Sequence, residues 1–243
     1  MPANGTHSWV HYWAGRMPGS MGRIFSPGSQ RAPLPWLPWA LDNGAFTGFD
    51  EAMWRELLRW SVGKLPRPLW AACPDAVGDC GTTKKLWTQY HAEICTLGVT
   101  PAFVVQDGAE AADVPATATV VFVGGSTGWK ESTLQYWCDR FPRVHVGRVN
   151  GYRMLRRCAD AGAESCDGTG WGRGDPRQLD GLFKFLEEQE AGRETETDDG
   201  AMGQAGVRCG SLSQGNVSVR ASMLQDARPQ IHGHANRQIK FDF

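Results

Sequence analysis

Six short polar signatures, each placed directly after a short apolar run, constrain the fold of this chain most strongly. They are Asp42-Asn43-Gly44-Ala45-Phe46, Pro74-Asp75 running to Asp79, Gln106-Asp107-Gly108, Gly124-Gly125-Ser126, Gly147-Arg148-Val149-Asn150 and Cys166-Asp167-Gly168-Thr169. Short apolar runs that alternate with helical patterns are typical of parallel strand–helix units. In a parallel barrel the carboxyl ends of all strands lie on one rim, which carries the active site. The sequence therefore predicts that the six signatures converge.

The order of elements predicts an α/β fold, specifically a TIM-like (β/α)8 barrel in which we identify only seven of the eight strands. The predicted strands cover residues 8–13, 39–41, 69–73, 101–105, 119–123, 144–146 and 164–166. The same alternation also fits an open doubly wound sheet. Signatures at nearly every strand end favour the barrel, because an open sheet binds its ligand at one switch point.

The composition of the chain divides it into two parts. Residues 1–190 are predicted to form the barrel, whereas residues 191–243 are rich in Gly, Thr, Glu, Asp, Ser and Gln and read as an acidic linker with a flexible, poorly structured tail. Cys209, His232 and His234 do not provide four ligands at a recognised zinc spacing. We therefore expect no metal site.

Hydropathy and charge restrict the compartment and the partners. No apolar stretch approaches the roughly 18 to 20 residues that a membrane helix needs, and the first residues lack a basic segment followed by an apolar one. We therefore expect a cytoplasmic protein that does not bind membranes. The formal net charge of −1 gives no global reason to expect nucleic acid. Arginines nevertheless cluster late in the chain, and the candidates for phosphate contacts are Arg148, Arg153, Arg156 and Arg157. Ordinary solvated helix faces explain the cluster equally well.

Two aspartates stand out as catalytic candidates. Asp42 and Asp167 each lie at the end of an apolar run, and because a glycine follows closely, each can also be a simple turn residue. Two carboxylates on one barrel rim support a different interpretation. One can attack as a nucleophile while the other moves a proton, which is how a bond at an anomeric carbon is cleaved and remade.

A second group of polar residues suits the edge of a purine-like base. Gln106 offers an acceptor and donors, and Asp75 or Asp79 offers acceptors for an N–H and amino pair. Gly124 and Gly125 allow either a tight turn or close backbone approach to a flat ligand. Together these residues predict a purine pocket.

These motifs resemble those of the tRNA-guanine transglycosylase superfamily, most closely its phage and bacterial branch that inserts 7-deazaguanine bases into DNA. The likeness covers about residues 8 to 187. Residues 41–46 are similar to the segment of the family's general acid/base aspartate, and residues 74–80 to the segment of its base-reading aspartate. Residues 105–108 and 122–126 resemble its glutamine and Gly-Gly segments. The family order then reaches its nucleophilic aspartate at Asp167.

The resemblance implies a glycosyltransferase of the pentosyltransferase type that needs no cofactor. It would exchange guanine in DNA for a free 7-deazaguanine base such as preQ0 through a covalent aspartyl-deoxyribose intermediate. The resemblance makes Asp167 the nucleophile and Asp42 the general acid/base. The implied base contacts are Gln106, Gly124, Gly125 and one of Asp75 and Asp79. Helper proteins and a homo-oligomer are further partners that the sequence leaves open.

One departure from the family bears on the substrate. Enzymes that act on tRNA carry a zinc-binding Cys-x-Cys-x-x-Cys with a later His after the nucleophile, and nothing after Asp167 has this spacing. The departure favours DNA, with base exchange on tRNA as the alternative. Two other interpretations are a non-catalytic nucleic-acid-binding barrel subunit and a sugar-phosphate enzyme in which Gly124-Gly125 holds the phosphate.

Overall fold

The computed structural model describes residues 7–202 and 240–242, with side chains described for residues 7–193. The chain forms two compact units. One comprises Met1–Glu188 together with Arg237–Phe243 and contains the barrel. The other comprises Gln189–Asn236. Within the second unit only the helical residues up to Met202 are described.

Parallel strands that follow chain order form the barrel. The strands are β1 Arg23–Phe25, β2 Trp39–Leu41, β3 Ala71–Ala72, β4 Pro101–Val105, β5 Val120–Val123, β6 Val144–Val146, β7 Ser165–Asp167 and β8 Lys240–Asp242. Each strand pairs in parallel with the next, so β1 to β7 form a nearly closed barrel and β8 pairs with β7. β8 lies near β1, but no strand pairing joins the two in the described part of the chain, which leaves one open seam. The predicted TIM-like α/β fold is confirmed.

The described part of the chain contains seven α-helices, most of which connect consecutive strands. They are α1 Ser8–Arg16, α2 Glu51–Ser61, α3 Cys80–Thr96, α4 Thr127–Arg140, α5 Tyr152–Ala161, α6 Thr169–Arg173 and α7 Pro176–Met202. Side-chain caps fix where several of the helices begin. At the start of α2, for example, the Asp50 carboxylate accepts a hydrogen bond from the Met53 amide at 3.0 Å. Among the described residues, none of the helices combines the length and apolarity needed to cross a membrane.

Apolar residues fill both sides of the strands. Inside the barrel, one cluster consists of Ala40, Trp70, Ala72, Ala102, Val104 and Val120, against which Phe122 packs. The larger cluster lies between strands and helices, where Trp54 and Leu57 of α2 are almost completely buried. Because Trp70 and Phe122 fill the interior, ligand access is confined to the rim.

Three expectations about the elements were wrong. Residues 8–13 form helix α1 instead of a strand; Val10, Trp13 and Met17 are buried at the spacing of one helical face. The first strand is β1, which lies in a segment between residues 13 and 39 for which no strand was predicted. The missing eighth strand is β8, which lies within the predicted tail. The remaining tail, including Cys209, His232 and His234, lies outside the described residues.

Candidate active site

A cavity of about 540 Å³ opens at the carboxyl ends of the strands. Residues that follow each of β1 to β7 line it, and all six polar signatures contribute. Seven of the predicted site residues lie in its wall: Asp42, Asp75, Gln106, Gly124, Gly125, Arg148 and Asp167. The strand order explains this convergence, since consecutive parallel strands bring their following residues to one rim.

Asp42 and Asp167 share this cavity closely enough to affect each other. Burial is the main reason that the pKa of Asp42 is raised to about 6, and the negative charge of Asp167 is the second. The Ser26 hydroxyl donates to Asp42 Oδ2 at 3.1 Å and opposes the shift. Asp42 is therefore a carboxyl group that can gain and lose a proton near neutral pH.

Two donors hold the carboxylate of Asp167, the last residue of β7. The backbone N–H of Arg148 donates to Oδ1 at 2.9 Å, and Nε2 of His145 lies 3.2 Å from Oδ2. Arg148 has a φ of 55°, which is unusual for a residue with a side chain. The two contacts fix the Asp167 side chain in place. Because it is 15% exposed, it is still accessible from the cavity.

Asp75 forms the centre of a buried polar wall. Its two oxygens accept hydrogen bonds from Asn43 Nδ2 at 2.7 Å and Gln106 Nε2 at 2.5 Å. Burial raises the pKa of Asp75, while these two hydrogen bonds and the positive charge of Arg148 oppose the increase. Because each carboxylate oxygen has two lone pairs, Asp75 can still accept hydrogen bonds from a ligand.

The Gly124-Gly125 pair orients the glutamine. Gly125 N–H donates to Gln106 Oε1 at 3.0 Å, and Gly124 N–H donates to the carbonyl of Val105 at 2.9 Å. Both amides therefore already have partners within the protein. With its oxygen held by Gly125 and one N–H on Asp75, Gln106 has its second Nε2 hydrogen to offer to a ligand.

Arg148 and Phe46 form one side of the cavity mouth. Arg148 Nη2 donates to the Gly125 carbonyl at 2.6 Å, and the guanidinium carbon lies 4.2 Å from the centre of the Phe46 ring. Phe46 is 65% exposed although it lines the cavity. This aromatic ring is available for stacking by a planar ligand.

Asp79 lies outside the cavity lining. Its carboxylate caps α3, where it accepts hydrogen bonds from the Thr82 amide at 2.9 Å and the Thr82 hydroxyl at 2.7 Å. Of the two candidate aspartates after β3, the one that faces the cavity is therefore Asp75.

Three of the predicted phosphate-contacting arginines also lie outside the cavity lining, on α5. Arg153 and Arg157 pair with Glu131 of α4 at 3.3 and 3.1 Å. Arg156 lies 3.5 Å from Glu188. These three arginines therefore contact carboxylates of the protein, and the predicted arginine that lines the cavity is Arg148.

Sequence reasoning missed two buried polar residues next to the site. His145 lies in the middle of β6, and Lys130 of α4 donates through Nζ to the carbonyl of Gly147. Both are almost fully buried, and burial lowers the pKa of Lys130 to about 8. In the sequence, His145 is a polar residue between two valines. We took these three residues together as an apolar run, and so missed the histidine.

No group of three or more His, Cys, Asp or Glu side chains in the described part of the chain could hold a metal ion. The chain matches no family model, no curated protein and no solved structure with which it was compared. The chemistry of the cavity therefore has to be argued from its own residues.

Proposed function

We propose that this protein is a transglycosylase that exchanges guanine in DNA for a free 7-deazaguanine base. The observation that carries the proposal is that Asp42 and Asp167 line one cavity together with the Asp75–Gln106 wall. Its volume of about 540 Å³ is within the range typical of small-molecule sites.

In the first step, an oxygen of Asp167 attacks C1′ of a deoxyguanosine. The C1′–O bond forms as the C1′–N9 bond breaks, and the departing guanine takes the electron pair and receives a proton from Asp42. The pKa of about 6 supports this role, since a useful fraction of Asp42 is protonated near neutral pH. In the second step, N9 of the incoming base attacks C1′ and returns its proton to Asp42. The double displacement retains the configuration at C1′.

The polar wall supports recognition of the base. The carboxylate of Asp75 suits the N1–H and amino donors of guanine, and the second Nε2 hydrogen of Gln106 suits its carbonyl oxygen. A 7-deazaguanine presents the same three groups, so one wall can hold both the leaving and the entering base. Phe46 provides a face for stacking.

A nucleotide inside a duplex cannot present C1′ and its base edge to this cavity. The target must therefore be flipped out or single-stranded, at a cost of a few kcal/mol. We propose DNA as the substrate because the sequence lacks the zinc-ligand spacing of the enzymes that act on tRNA.

Base exchange can be tested by incubating the protein with radiolabelled guanine and, in separate reactions, duplex DNA, single-stranded DNA or tRNA. We expect label to enter DNA. Denaturing electrophoresis should show a covalent protein–DNA adduct with the wild type and none with Asp167→Ala, because alanine cannot form the ester.

Asp79→Asn is the matched control for removal of a carboxylate, since Asp79 caps a helix outside the cavity. It should form the adduct as the wild type does. Label that entered only tRNA would contradict the DNA proposal, and an adduct of equal yield with Asp167→Ala would show that another residue is the nucleophile.

A further inference from the structure

We infer that His145 is a positioning residue that orients the Asp167 carboxylate and stabilises it as it leaves the covalent intermediate. This inference rests on the proposed function and adds to it a residue that neither touches the substrate nor exchanges a proton with it.

Packing fixes the imidazole of His145. The side chain is 1% exposed, and its ring centre lies 4.7 Å from that of Trp70 and 4.6 Å from that of Phe122. These aromatic neighbours belong to the apolar filling of the barrel interior. A ring packed in this way cannot turn away from the carboxylate without disturbing the interior.

Hydrogen bonding fixes which nitrogen faces Asp167. Nε2 lies 3.2 Å from Asp167 Oδ2, and Nδ1 lies 2.8 Å from the hydroxyl oxygen of Ser165. An ionised carboxylate can only accept, so Nε2 must carry the hydrogen of this contact. Nδ1 of a neutral imidazole then accepts from the Ser165 hydroxyl. Ser165 and Asp167 are two residues apart on β7, so they lie on the same face of that strand.

The two donors to Asp167 stabilise it more as a free carboxylate than as an ester. Oδ1 accepts from the backbone of Arg148 and Oδ2 from His145, and hydrogen bonds to an ionised acceptor are stronger than those to a neutral one. When the incoming N9 bonds to C1′, the C1′–O bond breaks and its electron pair returns to the carboxylate. His145 keeps its proton throughout and favours release of Asp167 from the ester, whichever base attacks C1′.

Removal of the His145 donor should therefore shift the equilibrium between the free Asp167 carboxylate and the covalent ester toward the ester. His145→Phe keeps an aromatic ring between Trp70 and Phe122 but has no donor, whereas His145→Gln restores an N–H close to the position of Nε2. With labelled DNA and a saturating 7-deazaguanine, we expect His145→Phe to lower kcat about 10-fold, which corresponds to the loss of one charge-assisted hydrogen bond. The KM for the base should change little, and the steady-state fraction of covalent adduct should rise. His145→Gln should recover much of the wild-type kcat and adduct fraction.

The outcomes separate the inference from the function on which it rests. If the wild type exchanges bases and His145→Phe shows the same kcat and adduct fraction, the inference is wrong and the function stands. Equal losses of kcat in His145→Phe and His145→Gln, with less adduct in both, would indicate a purely structural role and would also overturn it. Absence of exchange by the wild type would defeat the proposed function and this inference together. Circular dichroism of each variant checks that it is folded.

Discussion

At the scale of single residues, Asp42 illustrates how burial determines the chemistry of a carboxyl group. Its pKa is raised from 3.8 to about 6, first by burial and then by the charge of Asp167. In the proposed mechanism the protonated form is the acid that assists departure of guanine. The rate of adduct formation should therefore fall as the pH rises above about 6, as measured by rapid quenching between pH 5 and 8. Asp42→Asn should be about 100- to 10,000-fold slower and should lack this pH dependence.

The same shift in pKa predicts a gain in stability when the charge of Asp42 is removed. A raised pKa means that the folded protein binds the proton more tightly than the unfolded chain does. The stabilisation is thus complete below pH 3.8 and is lost as the pH rises through about 6. Since one pKa unit corresponds to about 1.4 kcal/mol, Asp42→Asn should increase the free energy of unfolding at pH 7.5 by on the order of 3 kcal/mol. Urea unfolding at pH 7.5 and pH 4 provides the measurement, and an equal increase at both values would contradict the burial argument.

Asp75 and Asp79 provide a matched pair of substitutions. Asp75→Asn replaces a charged acceptor on the cavity wall with an amide, and loss of a charge-assisted hydrogen bond costs about 1.5 to 3 kcal/mol. The KM for the incoming base should accordingly rise about 10- to 100-fold. Asp79→Asn should leave the KM unchanged, because asparagine caps a helix about as well as aspartate. A larger effect at Asp79 would make it the base-reading residue.

Seven of the site residues predicted from the sequence line the cavity, but their individual contacts were not predicted. Asp42, Gln106 and Asp167 follow strands, and a barrel brings strand ends together whatever the detailed packing. Asp75 and Asp79 looked equivalent, because both follow β3 and the choice depends on where α3 begins. His145 was missed because strand register decides which side chains point into the barrel, and register depends on distant strands.

At the scale of elements, the end of β6 must pass close to the barrel interior. A Cβ atom at Gly147 would lie 2.5 Å from Phe122 Cε1 and 3.6 Å from Asp167 Oδ2. Phe122 cannot easily yield, since it packs against Trp70 and His145. The absence of a side chain at residue 147 therefore lets β6, the Phe122 ring and the Asp167 carboxylate fit together.

Gly147→Ala should destabilise the protein by about 1 to 3 kcal/mol, because overpacking forces neighbouring side chains out of position. It should also lower base exchange, since Phe122 would displace His145 and Asp167. Thermal unfolding and the exchange assay measure the two effects. Gly128→Ala is the control: Gly128 lies in α4 with open space around its Cβ position, and alanine there should be neutral or stabilising. Similar behaviour of the two variants would contradict the steric explanation.

Whether a helix or strand was predicted correctly depended on its length and on the residues around it. The strands at 101–105 and 144–146 were predicted with their observed bounds, since each is a short apolar run that ends at a polar signature. Residues 8–13 were wrong because six residues are too few to distinguish alternation from one helical face. β1 was missed because three residues among glycines and prolines give no local pattern, and their pairing with β2 is what makes them a strand.

At the scale of the whole molecule, the strand that carries Asp167 has neighbours from distant parts of the chain. β7 pairs with β6 on one side and with β8 on the other, where Asp167 is in register with Asp242. A local sequence pattern does not predict such a pairing, because it depends on how the barrel closes. This is why the composition of residues 191–243 suggested a tail.

Removal of residues 237–243 should expose one edge of β7. We expect the shortened protein to show faster hydrogen exchange at the β7 amides, a lower melting temperature and reduced base exchange, because the Asp167 backbone loses a supporting strand. The amides of β4 provide an internal control, since β4 keeps both of its neighbours. Unchanged protection of β7 would show that β8 does not stabilise it.

The position of β8 also has a consequence for biosynthesis. A ribosome completes β1 through β7 well before it reaches Lys240–Asp242, so the nascent barrel lacks β8 while more than 70 residues after Asp167 are added. Closing that long chain segment carries an entropic penalty that grows only slowly with its length. The surroundings of Asp167 are therefore complete only after the segment that connects β7 to β8 has been synthesised.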